Sequence, residues 1–201
     1  MKKWTILAPL GLAAGAAAAL LLLKKKPAEK AAAPKSAPAK KDAPKAPANL
    51  KTGSYSFISG FQNAATVDMT LDYDADAFSF AVVEEGFLSY SSDSHVAILE
   101  GEDFSLQLEY AAYYSGEDFA AHRAALEEKY QTRGEIECGV HKGLWVLDGD
   151  NIVIHFPIPG DAHSYLLVTV QKTPDYDDEI TTLPNYAPLR VLLSTIRFTR
   201  S

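Results

Sequence analysis

The sequence predicts an α+β domain: a mainly antiparallel sheet covered by helices on both faces, behind one transmembrane helix and a disordered linker. Three observations carry that prediction. The charge divides sharply, with eleven lysines against Glu29 and Asp42 through Lys51, then eight lysines and arginines against 24 acids from Thr52 onward. The acidic part holds short apolar runs alternating with polar residues, and two stretches within it carry apolar residues at helical spacing instead. The chain therefore reads as an amino-terminal anchor over 1–23, an Ala/Pro/Lys-rich linker over 24–51 and one globular domain over 52–201.

The anchor comes first. Trp4 to Leu23 is uncharged, and twenty residues at 1.5 Å each cover about 30 Å, the hydrocarbon thickness of a bilayer. Leu20 to Leu23 run directly into Lys24, without the polar small-residue region that a cleavage site needs. No cysteine precedes Cys138, so a lipoprotein signal is excluded. A retained single-pass signal anchor is expected, with cleavage as the alternative, and the lipid bilayer is the partner it implies. Lys24, Lys25, Lys26, Lys30 and Lys35 outnumber Lys2 and Lys3, which by the positive-inside rule places the domain in the cytoplasm. Long domains translocate largely regardless of that count. The layout of short stub, anchor and spacer is that of a bacterial envelope protein, so the expectation is an extracytoplasmic domain despite the lysines.

The linker repeats Ala-Pro and Lys-Pro units and contains no aromatic residue. Proline fixes φ and like charges repel, so an extended, disordered spacer is expected.

The 150 residues from Thr52 suffice for one core. Their net charge of −16 repels phosphate, which argues against a nucleic-acid partner. Strands are expected at "TVDMTL", "FSFAVV", "HVAIL" and "FSLQLEY". The last places Phe104, Leu106, Leu108 and Tyr110 on one face, and Ser105, Gln107 and Glu109 on a solvent face. A helix follows, with Ser115 as N-cap and Asp118 three residues on, Phe119, Leu126 and Tyr130 on one face, His122 and Arg123 at its flank, and Gly134 as its stop. Two or three more strands follow over "GLWVL", "NIVIHFPI" and "HSYLLVTVQ", with a hairpin signal in "DGD" at Asp148–Asp150. A turn at Pro159–Ala162 sets Phe156 opposite Tyr165 and Ile158 opposite His163. Both faces of this hairpin are apolar, so a cover is expected on each. The mid-domain helix supplies one. A terminal helix, with Pro188 early and Leu189, Leu192, Leu193 and Ile196 at helical spacing, supplies the other.

This order of elements, the "AFSFAV" strand opening and the closing "LLSTIRF" of Leu192–Phe198 resemble the PsbP-like α/β/α sandwich domain over most of Thr66 to Thr199. The resemblance implies a non-enzymatic accessory, assembly or envelope role, and it transfers no site residue.

Candidate chemistry is sparse. "DYDADA" at Asp72–Ala77 starts like a calcium loop, but the sixth and twelfth positions are Ala77 and Val83 where Gly and Glu are required. "DYDDE" at Asp175–Glu179 reads as a solvated loop, with a weak calcium site arising only if it folds against Asp72–Asp76. Cys138 and His141 form a C-x-x-H pair without the second pair a structural zinc needs. They also lack an evident orienting group for nucleophilic catalysis. His155 and His163 face opposite ways in the expected register. Tyr110, Tyr113 and Tyr114 are candidates for a recognition surface, with Tyr110 assigned to the core face. No catalytic, cofactor or metal residue is assigned. The expectation is a membrane-tethered, non-catalytic binding or scaffolding module with a protein partner. The alternative is a hydrolase or metal-dependent enzyme using Cys138 and His141 or the acidic loops.

Overall fold

The computed structural model describes residues 49–59, 65–83, 96–113, 117–162 and 164–200. Within them, two antiparallel sheets face each other. The larger has seven strands in the order β3 (Phe78–Val83), β4 (Val96–Gly101), β5 (Phe104–Ala112), β9 (Ser164–Lys172), β8 (Asn151–Pro157), β7 (His141–Asp148) and β6 (Arg133–Cys138). The smaller is β1 (Leu50–Ser59), β2 (Ala65–Asp74) and β10 (Arg197–Arg200), with β2 central. Helix α1 (Phe119–Lys129) lies between β5 and β6 in sequence. After β9 a 3₁₀ turn (Ile180–Asn185) and helix α2 (Ala187–Ser194) lead to β10.

The main core lies between the sheets. Val67, Met69 and Leu71 of β2 meet Leu99 of β4, Leu106 and Leu108 of β5, Ile154 and Phe156 of β8, and Leu166 and Val168 of β9. Period-two alternation puts each set on one side of its strand. Burying each such side chain stabilises the fold by about 1.5–3 kcal/mol. Leu189, Leu192 and Leu193 of α2, with Ile196, close the same core. The expected apolar stripe and early Pro188 of that helix are present.

The expected layering is corrected. The inner face of the large sheet is covered by a second sheet with α2 beside it, which makes a β-rich sandwich and not an α/β/α arrangement with helices on both faces. The outer face carries α1, but that helix buries Leu126 alone, in a small cluster with Leu144, Val146, Val153 and Leu167. Four alanines and a charged flank leave α1 too little apolar surface to form a layer.

The second sheet escaped the sequence reading because two of its three strands did. β1 alternates buried Gly53, Tyr55 and Phe57 with exposed Thr52, Ser54 and Ser56, inside a stretch dominated by Ser, Thr and Gly. β10 has only four residues. β6 is a third strand with no counterpart among the expected ones: Gly134 is a strand residue under the Trp145 indole and not the helix stop.

No helix among the described residues is long and apolar enough to cross a membrane, and the longer of the two α-helices has eleven residues. The anchor expected over 1–23 and the linker from 24 to 48 lie outside the described residues. The single-pass membrane localisation therefore has no support in the fold and is corrected accordingly.

The β8–β9 register also differs by one residue from the expected one. Phe156 pairs with Leu166, His155 with Leu167 and Ile154 with Val168. Paired residues share a face, so Leu166 and Val168 join Ile154 and Phe156 on the inner side, while His155 points outward with Leu167. The "DGD" turn is as expected: Asp148 pairs with Asn151, and Gly149 adopts the φ of +60° that a two-residue hairpin turn demands.

Candidate functional site

Cys138 and His141 face each other across the two-residue turn of β6 and β7, so their side chains share the inner face. Both are buried, at 2% and 6% exposure, and Cys138 belongs to the main core. Burial pushes the thiol up, against a smaller opposing pull from Arg190. A nucleophile needs the reverse, a thiolate favoured by positive surroundings. The His141 Nε2 lies 2.7 Å from the Ile196 carbonyl and donates to it, while its ring packs against Phe156 and Phe198. The histidine thereby secures the chain leaving α2 against the β6–β7 hairpin. Neither residue lines the cleft beside Lys172 and Pro174 or the one beside Asp76, Asp103 and Pro188.

The acidic loops are tied down locally. Asp72 accepts from Thr52 Oγ1 at 2.6 Å and from Arg197 Nη1 at 3.0 Å, bonds that connect all three strands of the small sheet. The Thr52 bond, aided by the Arg197 charge, holds this carboxyl below its ordinary range despite partial desolvation. Asp74 Oδ1 accepts from the Asp76 amide at 3.1 Å, and Asp76 Oδ1 accepts from Asn49 Nδ2 at 3.1 Å. In the second loop Tyr176 is buried, with its hydroxyl 2.7 Å from Thr182 Oγ1, and Lys172 donates to the Asp178 carbonyl at 2.6 Å. Each carboxylate in "DYDADA" thus answers its own donor. Among the described residues no three His, Cys, Asp or Glu side chains converge as metal ligands.

β5 departs from the half-solvated pattern. Gln107 and Glu109 sit on the outer face yet are 0% and 1% exposed, and Gln107 Nε2 donates to Glu109 Oε2 at 3.2 Å. The Glu109 charge adds to burial in raising the Tyr55 hydroxyl to about 12.

The outer face also holds the grouping that sequence reasoning missed. His122 of α1 and His155 of β8 meet with Nε2 and Nδ1 3.0 Å apart. Tyr165 lies against both rings, its centroid 4.3 Å from His122 and 5.5 Å from His155, and Tyr113 stacks on Tyr165 at 5.0 Å. Burial drives His155 down to about 3, with the neighbouring His122 and the Lys129 charge adding to it, and burial also lowers His122 against an opposing Glu117. Tyr113 keeps its hydroxyl buried without a hydrogen-bond partner among the described residues, and burial raises its titration above the ordinary range. The sequence sets His155 only against His163 and leaves His122 at the helix flank, and the contact depends on how α1 docks across the outer face. His163, Tyr114 and Ser115 lie outside the described residues. The N-cap of α1 is Asp118, whose Oδ1 accepts from the Ala121 amide at 2.9 Å. Tyr110 does face the core, stacked on Phe57 at 4.5 Å.

No family model, curated protein or solved structure matches this chain. The PsbP-like resemblance therefore rests on the sequence features alone, and the layering it implies is the one corrected above.

Proposed function

We propose that the domain is a non-catalytic protein-binding module that captures an extended segment of its partner at the β3 edge of the large sheet. The carrying observation is the contrast between the sheet's two edges. β6 is guarded: Arg133, Glu135 and Glu137 are exposed along it, Arg123 pairs with Glu135 at 2.7 Å, and Arg190 donates to the Glu137 carbonyl at 2.6 Å. β3 carries no charge, exposes Ser79, Ala81 and Val82, and pairs only with β4 among the described residues. Strand edges ordinarily avoid pairing through charges, proline or cover, and an uncharged edge is a template for strand addition. The accessory role implied by the PsbP-like resemblance is of the same kind.

The experiment places a photo-crosslinking amino acid at Ala81 or at Glu135 in the full chain within its native cell. Crosslinks from position 81 that vanish with Val82→Lys, and none from position 135, support the reading. Equal crosslinking from both edges, or crosslinks indifferent to Val82→Lys, refutes it.

A further inference from the structure

Helix α1 is held to the sheet by few contacts, and the most central of them joins two titratable rings. Its buried apolar anchor is Leu126. At its far end Tyr130 donates to Asp148 Oδ2 at 2.9 Å, and on its flank Arg123 bonds Glu135 at 2.7 Å. Between them, His122 Nε2 faces His155 Nδ1 at 3.0 Å beneath Tyr113 and Tyr165. We propose that this imidazole pair is an acid-sensitive latch: it holds α1 on the outer face at neutral pH and releases the helix on acidification while the sandwich stays folded.

The geometry permits one proton between the two nitrogens, with one ring donating and the other accepting. A first added proton on the half-buried His122 leaves that bond intact. A second, on His155, sets two N–H groups against each other at a separation that only a donor and an acceptor tolerate, so the rings must part. The surroundings do not neutralise the second charge. Glu117, before α1, favours charge on His122, whereas Lys129 in its last turn opposes charge on His155. From the strand side Tyr165 and Tyr113 present rings, and Asp161 and Asp118 act on Tyr113. Released, both histidines titrate near their ordinary value of about 6.5, so the released state binds the extra proton that the docked state refuses. One such proton favours release roughly tenfold per pH unit below that value, or about thirtyfold at pH 5. The main core, on the other side of the sheet, contains neither histidine and keeps the sandwich together.

The test is hydrogen exchange of the full chain at pH 7.5 and pH 5.0, read as protection factors for the α1 amides and for those of β8 and β9. The expected result is a loss of protection of about thirtyfold or more in α1, while the β8 and β9 amides fall by no more than about the same factor and remain protected at pH 5. His155→Asn keeps a polar atom near the Nδ1 position and removes the titration, and His122→Gln does the same from the helix. Either substitution is expected to reduce the pH-linked loss to a few-fold. Retention of α1 protection at pH 5, loss of strand protection down to the level of α1, or wild-type pH dependence in both variants overturns the proposal.

Discussion

Tyr130 and Asp148 join the end of α1 to β7 through a hydrogen bond of 2.9 Å, beside the single buried residue of that helix, Leu126. The opposite side of the sheet holds a far larger apolar cluster, in which Phe156 is 1% exposed. The two sides should therefore differ in what they contribute to stability. Leu126→Ala is expected to cost about 2 kcal/mol, the lower end for a buried leucine, and Phe156→Ala about 3–5 kcal/mol. Urea denaturation at neutral pH measures both, and a larger loss at Leu126 would contradict this division of the core.

The sign of the pH dependence follows from His155. Its folded value, down to about 3, lies below the unfolded value of about 6.5, so between the two the unfolded chain binds more protons. The stability that the neutral ring confers is present above pH 6.5 and is lost as the pH falls, by roughly 1.4 kcal/mol per unit. Asp72 acts in the same direction at lower pH, because its folded carboxyl is held below the ordinary range and its contribution is lost as it protonates. Thermal unfolding from pH 7.5 to 4.5 should show a steep decline in the wild type and a shallower one in His155→Asn. Parallel curves would remove His155 as the cause.

Cys138 should be inert in the folded protein. Its thiol is buried and pushed up by that burial, so access and ionisation both oppose attack on a disulfide reagent. Native protein at pH 8 is expected to react roughly a hundredfold or more slowly than protein in denaturant, since reaction must await an opening of the core. Rapid native labelling would show that the β6–β7 hairpin opens freely.

Two glycines test different constraints. A Cβ on Gly143 would stand 2.3 Å from the His155 carbonyl oxygen, a backbone atom of the neighbouring strand that cannot step aside. A Cβ on Gly149 would meet nothing within 4 Å, but the residue's φ of +60° disfavours L side chains. Gly149→Ala should cost about 1–2 kcal/mol by conformation alone. Gly143→Ala should exceed it, at about 3 kcal/mol or more, because the strands must separate. Denaturation midpoints of the two variants give the order, and the reverse order would sink the explanation.

Local pattern identified the strands whose alternation is strong. "FSLQLEY" placed Phe104, Leu106 and Leu108 inward, "DGD" closed its hairpin, and Leu189, Leu192 and Leu193 marked α2, because periodicity and turn chemistry are properties of a few adjacent residues. What escaped was set by partners distant in sequence. β1 and β10 are strands through their pairing with β2, and their own residues state it weakly. Gln107 and Glu109 look like solvent-facing residues and are buried. The meeting of His122 with His155 depends on where α1 docks on the outer face, which no residue near either histidine in sequence specifies. By itself the sequence determined a charge-divided chain and an acidic domain with most of its strands and both helices. Tertiary structure alone decided that a second sheet covers the first, that the Cys138 and His141 pair is absorbed by the core, and that two histidines 33 residues apart share one contact. Such long-range pairing depends on which surfaces are buried together, and no short stretch of the chain contains that information.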